Sequence, residues 1–169
     1  MYTGIRIGEL CALKWGNISF EEKTLKIDKT MQRLQFDNQK RKTEIVISEP
    51  KSSCSIRLIP LPDFVIKELI KFRDDDDNNY ILSMDNKKFI EQRTMQNHFY
   101  KYISEAKIEK SNFHCLRHTF ATRCVEKNFE IKSLSVILGH SSVKITLDKY
   151  VHVTMQMKRN NMSKVKLAV

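Results

Sequence analysis

Residues 3–15, TGIRIGELCALKW, carry isoleucine and leucine at helical spacing without a proline, which predicts an opening helix ending near Trp15-Gly16-Asn17. The period then shortens. In ISFEEKTLKIDKTMQRLQF, Leu25 and Ile27 alternate with Lys26 and Asp28, the pattern of a strand, a short turn and a second strand. TEIVISEPKSSCSIRLIPLP repeats that layout as a second hairpin: Ile45 and Ile47, a turn at Glu49-Pro50-Lys51, then Ile56 and Leu58 before Pro60 closes the strand. From Asp63 onward the helical period returns. Asp63 is placed to cap a helix whose Val65, Ile66, Leu69 and Ile70 form one apolar stripe, and the run DDDDNN at 74–79 ends it. Met95, Phe99, Tyr102, Ile103 and Ala106 mark a second amphipathic helix in this half. Phe113, Leu116, Phe120 and Cys124 mark a third, and Ile131, Leu134, Ile137 and Leu138 a fourth. Tyr80, Tyr100 and Tyr102 fall at or near these packing positions and read as structural. The expected fold class is α+β: a mostly helical domain with a small antiparallel β-sheet of about three strands near its N-terminal side.

Charge adds a partner to this picture. With 30 Lys and Arg against 20 Asp and Glu, the 169-residue chain carries a formal net charge of +10, which suits a polyanion. No uninterrupted apolar run approaches the roughly 18 residues of a membrane span, and no secretory signal is visible, so nucleic acid is preferred over a membrane. Lys40, Arg41 and Lys42 make one basic patch, which reads equally as a DNA contact or a solvated hairpin loop. The four cysteines, Cys11, Cys54, Cys115 and Cys124, form no C-x-x-C pair; reduced thiols in a cytoplasmic protein are expected. The consecutive aspartates lack the alternating ligands and glycine of a calcium loop. His114 and His118 stand four apart but lack the glutamate of H-E-x-x-H, because position 115 is cysteine. Neither a metal nor a cofactor is expected.

The candidate chemistry lies in two stretches and two isolated positions. In FHCLRHTFAT, His114 and Arg117 are three apart, about 60° around a helix, beside the apolar stripe. In SVILGHSSVKITLDKYVHV, Gly139 stands where a left-handed helix cap is needed, which would fix His140 at a helix end. Ser142 can cap the next helix, with Tyr150 two turns along it. Arg6 lies in the opening helix between Gly4 and Gly8, and Lys51 at the tip of the second hairpin. Two arginines, a lysine, two histidines and one phenol make a set of donors with one oxygen nucleophile. That set fits metal-free chemistry on a phosphodiester.

Five strings in order, TGIRIGEL, PKSSCSIRLIPLP, HCLRHTFAT, LGHSS and LDKY, resemble the motifs of the tyrosine recombinase (phage-type integrase) catalytic domain, and the resemblance covers nearly the whole chain. It implies roles at the matching positions. Arg6 and Arg117 would clamp the scissile phosphate, His140 would add a hydrogen bond, and His114 would act as general base. Lys51, the β-hairpin lysine, would protonate the leaving 5′-hydroxyl. Tyr150 would be the nucleophile that forms a 3′-phosphotyrosyl bond. Ser52 replaces the threonine often found after that lysine, and Cys115 fills a variable position.

The resemblance also implies partners: double-stranded DNA attachment sites, other protomers in a tetramer on DNA (a monomer when isolated), and accessory DNA-bending proteins. It implies that residues 1–169 are the C-terminal catalytic domain, with core-binding and arm-binding domains and the first catalytic-domain helix absent. The tail 151–169, basic through Lys158, Arg159, Lys164 and Lys166, is expected either to pack on a neighbouring protomer or to form a free basic end. Two other readings remain open: a type IB topoisomerase-like enzyme, and a DNA-binding module without activity.

Overall fold

The computed structural model describes residues 2–35, 43–84, 88–151, 159 and 162–163. The basic patch at residues 40–42 and nearly all of the tail lie outside the described residues. The opening helix α1 spans Ile7–Ala12 and is followed by a 3-10 turn, Trp15–Asn17. Five strands follow: β1 (Ile18–Ser19), β2 (Thr24–Ile27), β3 (Thr30–Gln35), β4 (Thr43–Ser48) and β5 (Arg57–Pro60). Helices α2 (Asp63–Ile70), α3 (Gln92–Glu105), α4 (Cys115–Glu126), α5 (Ile131–Leu138) and α6 (Val143–Tyr150) complete the chain. This is the expected mostly helical α+β class, with a three-stranded antiparallel sheet.

The strand pairing departs from the expected second hairpin. β5 pairs antiparallel with β2, in the order β1-β2-β5, while β3 and β4 form a sheet of their own. The register explains why. Leu25 faces Ile59 and Ile27 faces Arg57, and directly opposed residues share a sheet face. Ile59 and Arg57 are therefore buried, at 2% and 6% exposure, whereas Leu58 is 61% exposed and Ile56, before the strand, 43%. The segment around Pro50 is thus a crossing between two sheets, and Lys51 sits at no hairpin tip.

Each sheet has its own core. Leu13, Trp15, Ile18, Leu25, Ile27, Ile59, Leu61 and Ile66 pack around the three-stranded sheet. Cys11 and Ala12 of α1 pack on Met31 of β3, with Ile45 and Ile47 half-buried beside them. A third cluster joins the last helices: Ala121 and Cys124 of α4, Leu134 and Leu138 of α5, and Tyr150 of α6.

Smaller departures have local causes. Arg6 precedes α1 as its N-cap rather than lying within it. Asp63 begins α2 without capping it through its side chain, and pairs instead with Lys23 at 2.7 Å. Tyr102 is 57% exposed and Tyr100 36%, because Phe99 and Ile103 take the inward face of α3. Tyr80 does pack, edge-on to Phe89.

Candidate active site

The turn between α5 and α6 forms as its residues dictate. Gly139 has φ +64°, the His140 N–H reaches Ser135 O at 3.1 Å, and the Gly139 N–H reaches Val136 O at 2.9 Å. Only glycine adopts this cap at little cost. A Cβ there would also stand 2.9 Å from Arg57 Nη1. Ser142 Oγ accepts the Lys144 N–H and starts α6, which ends at Tyr150.

Under this turn lies a set of three guanidiniums around one carboxylate. Glu9, 2% exposed, accepts from the Arg6 N–H at 2.8 Å and from Arg6 Nη1 at 2.8 Å. It also accepts from Arg57 Nη1 at 3.0 Å and Nη2 at 2.9 Å. Burial alone would raise its carboxyl pKa, but Arg57 and Arg6 outweigh burial and hold it below the usual range. Arg6 Nη2 continues to Gly139 O at 3.0 Å, and Arg57 Nε to Ile137 O at 2.7 Å.

Arg117 is 3% exposed and has no carboxylate of its own. It donates from Nη1 to Gly4 O and from Nη2 to Leu138 O, both at 2.7 Å. Gly4, at φ +62°, turns that carbonyl inward, and a Cβ on it would meet the Phe120 ring at 2.6 Å. Burial, and then the charge of Arg6, lower the Arg117 pKa to about 10, so it stays protonated at neutral pH. A guanidinium has five donors, so Arg6 and Arg117 each keep hydrogens for a further acceptor.

These groups face a cleft of about 290 Å³ that Arg6, His114, Arg117, His140 and Tyr150 all line. The fold thus brings five of the six expected residues together. Lys51 is exposed and is not part of the lining, although its neighbour Ser52 is, with Ser55 and Lys149.

Burial, and after it the cationic surroundings, set the state of the histidines. Burial first, then Arg117, Arg6 and Lys149, lower the His140 pKa to about 4, leaving a neutral imidazole at pH 7. His114 is exposed as a residue, but partial burial of its ring and the nearby His118 and Arg117 lower its pKa too. The Tyr150 phenol is pushed up by burial, opposed in part by Arg117. Its ring, 7% exposed, lies parallel to His140 at a centroid distance of 6.4 Å and tilted against His118 at 5.5 Å. His118 in turn meets His114 edge-on at 4.7 Å, and no third metal-ligating side chain joins the pair among the described residues.

Sequence reasoning missed Glu9, Arg57, His118 and Lys149 as parts of this site. Glu9 had a signal, standing three residues after Arg6 in a helix. Arg57 had another, in phase with the inward-facing Ile59 and Leu61.

A buried arginine, a histidine held behind a glycine cap and a helix-terminal tyrosine thus line one cationic cleft on a mixed helical and sheet fold, and comparison with known proteins gives the family. The model of the phage integrase family matches residues 1–157, and the chain belongs to that family. It is 30% identical over 175 residues to a tyrosine recombinase XerC-like protein of Caldanaerobacter subterraneus subsp. tengcongensis, covering 94% of this chain and 45% of the relative. It is 28% identical over 185 residues to the transposase from transposon Tn916 of Enterococcus faecalis, covering 96% of this chain and 44% of that protein. Among solved structures it resembles the Tn1549 transposon integrase in complex with a circular intermediate DNA (TM-score 0.76, 25% identity, 98% of this chain and 56% of that one). It also resembles the XerA recombinase (TM-score 0.67, 25% identity, 96% and 52%). The chain therefore spans about half the length of the proteins it matches.

Proposed function

We propose that this chain is the catalytic domain of a site-specific DNA recombinase, one that cleaves and rejoins strands through a 3′-phosphotyrosyl intermediate to integrate or excise a mobile element. The observation that carries the reading is the convergence of Arg6, His114, Arg117, His140 and Tyr150 on one cleft, with Glu9 fully engaged and no free carboxylate among the residues lining it. The tyrosine oxygen attacks the scissile phosphorus, and its proton passes to His114, which partial burial, aided by the surrounding cations, keeps neutral and able to accept it. Arg6, Arg117 and the His140 imidazole bind the non-bridging oxygens as negative charge builds on them. The 5′-oxygen leaves with a proton from Lys51, whose exposed segment must close over the bound phosphate. Attack by another 5′-hydroxyl reverses these steps, so neither ATP nor metal is consumed.

Supporting the DNA partner are the net charge of +10 and the likeness to integrases solved with DNA. A tetramer on paired attachment sites, a tail (151–169) seated on a neighbouring protomer, accessory DNA-bending proteins and a cytoplasmic site of action belong to the same reading. Among the described residues no helix is long and apolar enough to cross a membrane.

The test is a nicked suicide substrate followed by a denaturing gel. The chain should give a shifted covalent band, and Tyr150→Phe should lose it while binding DNA nearly as before. A band that persists in the Phe variant overturns the assignment of the nucleophile. Absence of the band in the unmodified chain favours a binding module, and relaxation without joining of two DNA molecules favours a topoisomerase.

A further inference from the structure

His140 has two ring nitrogens and, being neutral, one proton to share between them. Which nitrogen holds it decides what the cleft offers a phosphate. An Nε2–H would donate to a phosphate oxygen, whereas a bare Nε2 lone pair would repel it. The residue that selects between these states lies outside the set assigned above.

His140 Nδ1 stands 2.8 Å from the hydroxyl of Thr146, a fully buried side chain on the second turn of α6. In principle either atom could donate. The hydroxyl hydrogen, however, has no second acceptor among the described residues: the contact with Nδ1 is the one hydrogen bond that the Thr146 side chain makes with them. If Nδ1 carried the proton, the hydroxyl hydrogen would be buried without a partner, at a penalty that buried polar groups rarely bear. If the hydroxyl donates, both groups are satisfied and the ring proton is left to Nε2.

We propose that Thr146 is a positioning residue that fixes the tautomer of His140, so that Nε2–H is presented to the phosphate in the cleft. The backbone supports this by holding the ring from both sides. The left-handed Gly139 fixes where His140 emerges, and α6, capped by Ser142, fixes where Thr146 meets it. The Tyr150 ring lies parallel to the imidazole, with ring centroids 6.4 Å apart. The depressed His140 pKa adds that the ring is not doubly protonated at neutral pH, so the tautomer matters there.

The inference rests on the proposed phosphate chemistry, but its first test needs no DNA. Long-range proton–nitrogen NMR of the ¹⁵N-histidine-labelled chain at neutral pH should show His140 protonated at Nε2, with Nδ1 as a hydrogen-bonded acceptor. Thr146→Val, which keeps the shape and removes the hydroxyl, should shift His140 toward a mixture of tautomers. Thr146→Ser should restore the Nε2–H form. On a suicide substrate, Thr146→Val should slow cleavage by about tenfold, with DNA affinity little changed and the rate recovered in Thr146→Ser. An Nδ1–H signal in the unmodified chain overturns the proposal, even if Thr146→Val does not fold. So does a Thr146→Val variant with unaltered tautomer. A chain with the expected tautomer but no covalent band would leave the lock standing and remove the recombinase reading.

Discussion

Arg117 and Lys51 carry the same charge and are proposed to serve one phosphate, yet the fold treats them in opposite ways. Arg117 is 3% exposed and held by two backbone carbonyls from distant segments, Gly4 and Leu138. Lys51 is exposed, lies where the chain crosses from one sheet to the other, and makes no hydrogen bond or ion pair among the described residues. The difference follows from the work each would do. A group that stabilises developing charge gains most when its dipoles are fixed beforehand, whereas a proton donor to a leaving group has only to arrive with the substrate. The arginine side is built in the chain alone, and in the proposed function DNA binding completes the lysine side.

The contrast would break most readily at Glu9. It offsets the half-buried Arg6 and the buried Arg57, so Glu9→Gln leaves Arg57 without its counter-charge. A loss of about 3–5 kcal/mol in urea unfolding is expected. A loss below about 1 kcal/mol would mean that the arginine framework is not rigid. Lys51→Ala should behave in the opposite manner. Its unfolding free energy should stay within about 0.5 kcal/mol of the unmodified chain. Its suicide-substrate cleavage should slow by roughly 10²-fold or more, as for loss of a general acid. A substrate with sulfur at the bridging 5′ position, whose thiolate leaves without a proton, should recover most of that rate. Failure to recover would assign Lys51 to binding rather than proton donation.

A third effect is expected on pH dependence, and it belongs to the built side alone. His140 has its pKa lowered from 6.5 to about 4 in the folded chain. Between those values the unfolded chain binds the proton and the folded one does not, so stability should decline as pH falls through that window. Urea midpoints measured from pH 7 down to 4 should fall less in His140→Gln than in the unmodified chain. Lys51→Ala should leave that slope unchanged.

How far the sequence foretold these features depends on the distance over which each is decided. The cap at Gly139, the start of α6 at Ser142 and the placing of His140 against Tyr150 are settled within a dozen residues, and all were legible. The second hairpin was not. Ile45, Ile47, Ile56 and Leu58 alternate as a hairpin would, but β5 took its phase from β2, which buried Arg57 and Ile59 and turned Leu58 outward. Arg57 escaped notice for the same reason: an arginine reads as surface charge until its partner, Glu9, is found 48 residues away. Arg117 was picked out by its motif, whereas its burial became visible only once Gly4 and Leu138 came together around it.

Tyr150 is at once a member of the cleft and, with Ala121, Cys124, Leu134 and Leu138, a member of the third core. Under the proposed function its ring therefore answers to two selective demands. A descendant that abandoned strand cleavage could shed the hydroxyl freely, but replacing the ring by a small side chain would open a void between α4, α5 and α6. Inactive relatives built on this plan should accordingly keep an aromatic side chain at the position, with phenylalanine as the mark of lost chemistry. A glycine or alanine there would mark decay of the fold itself.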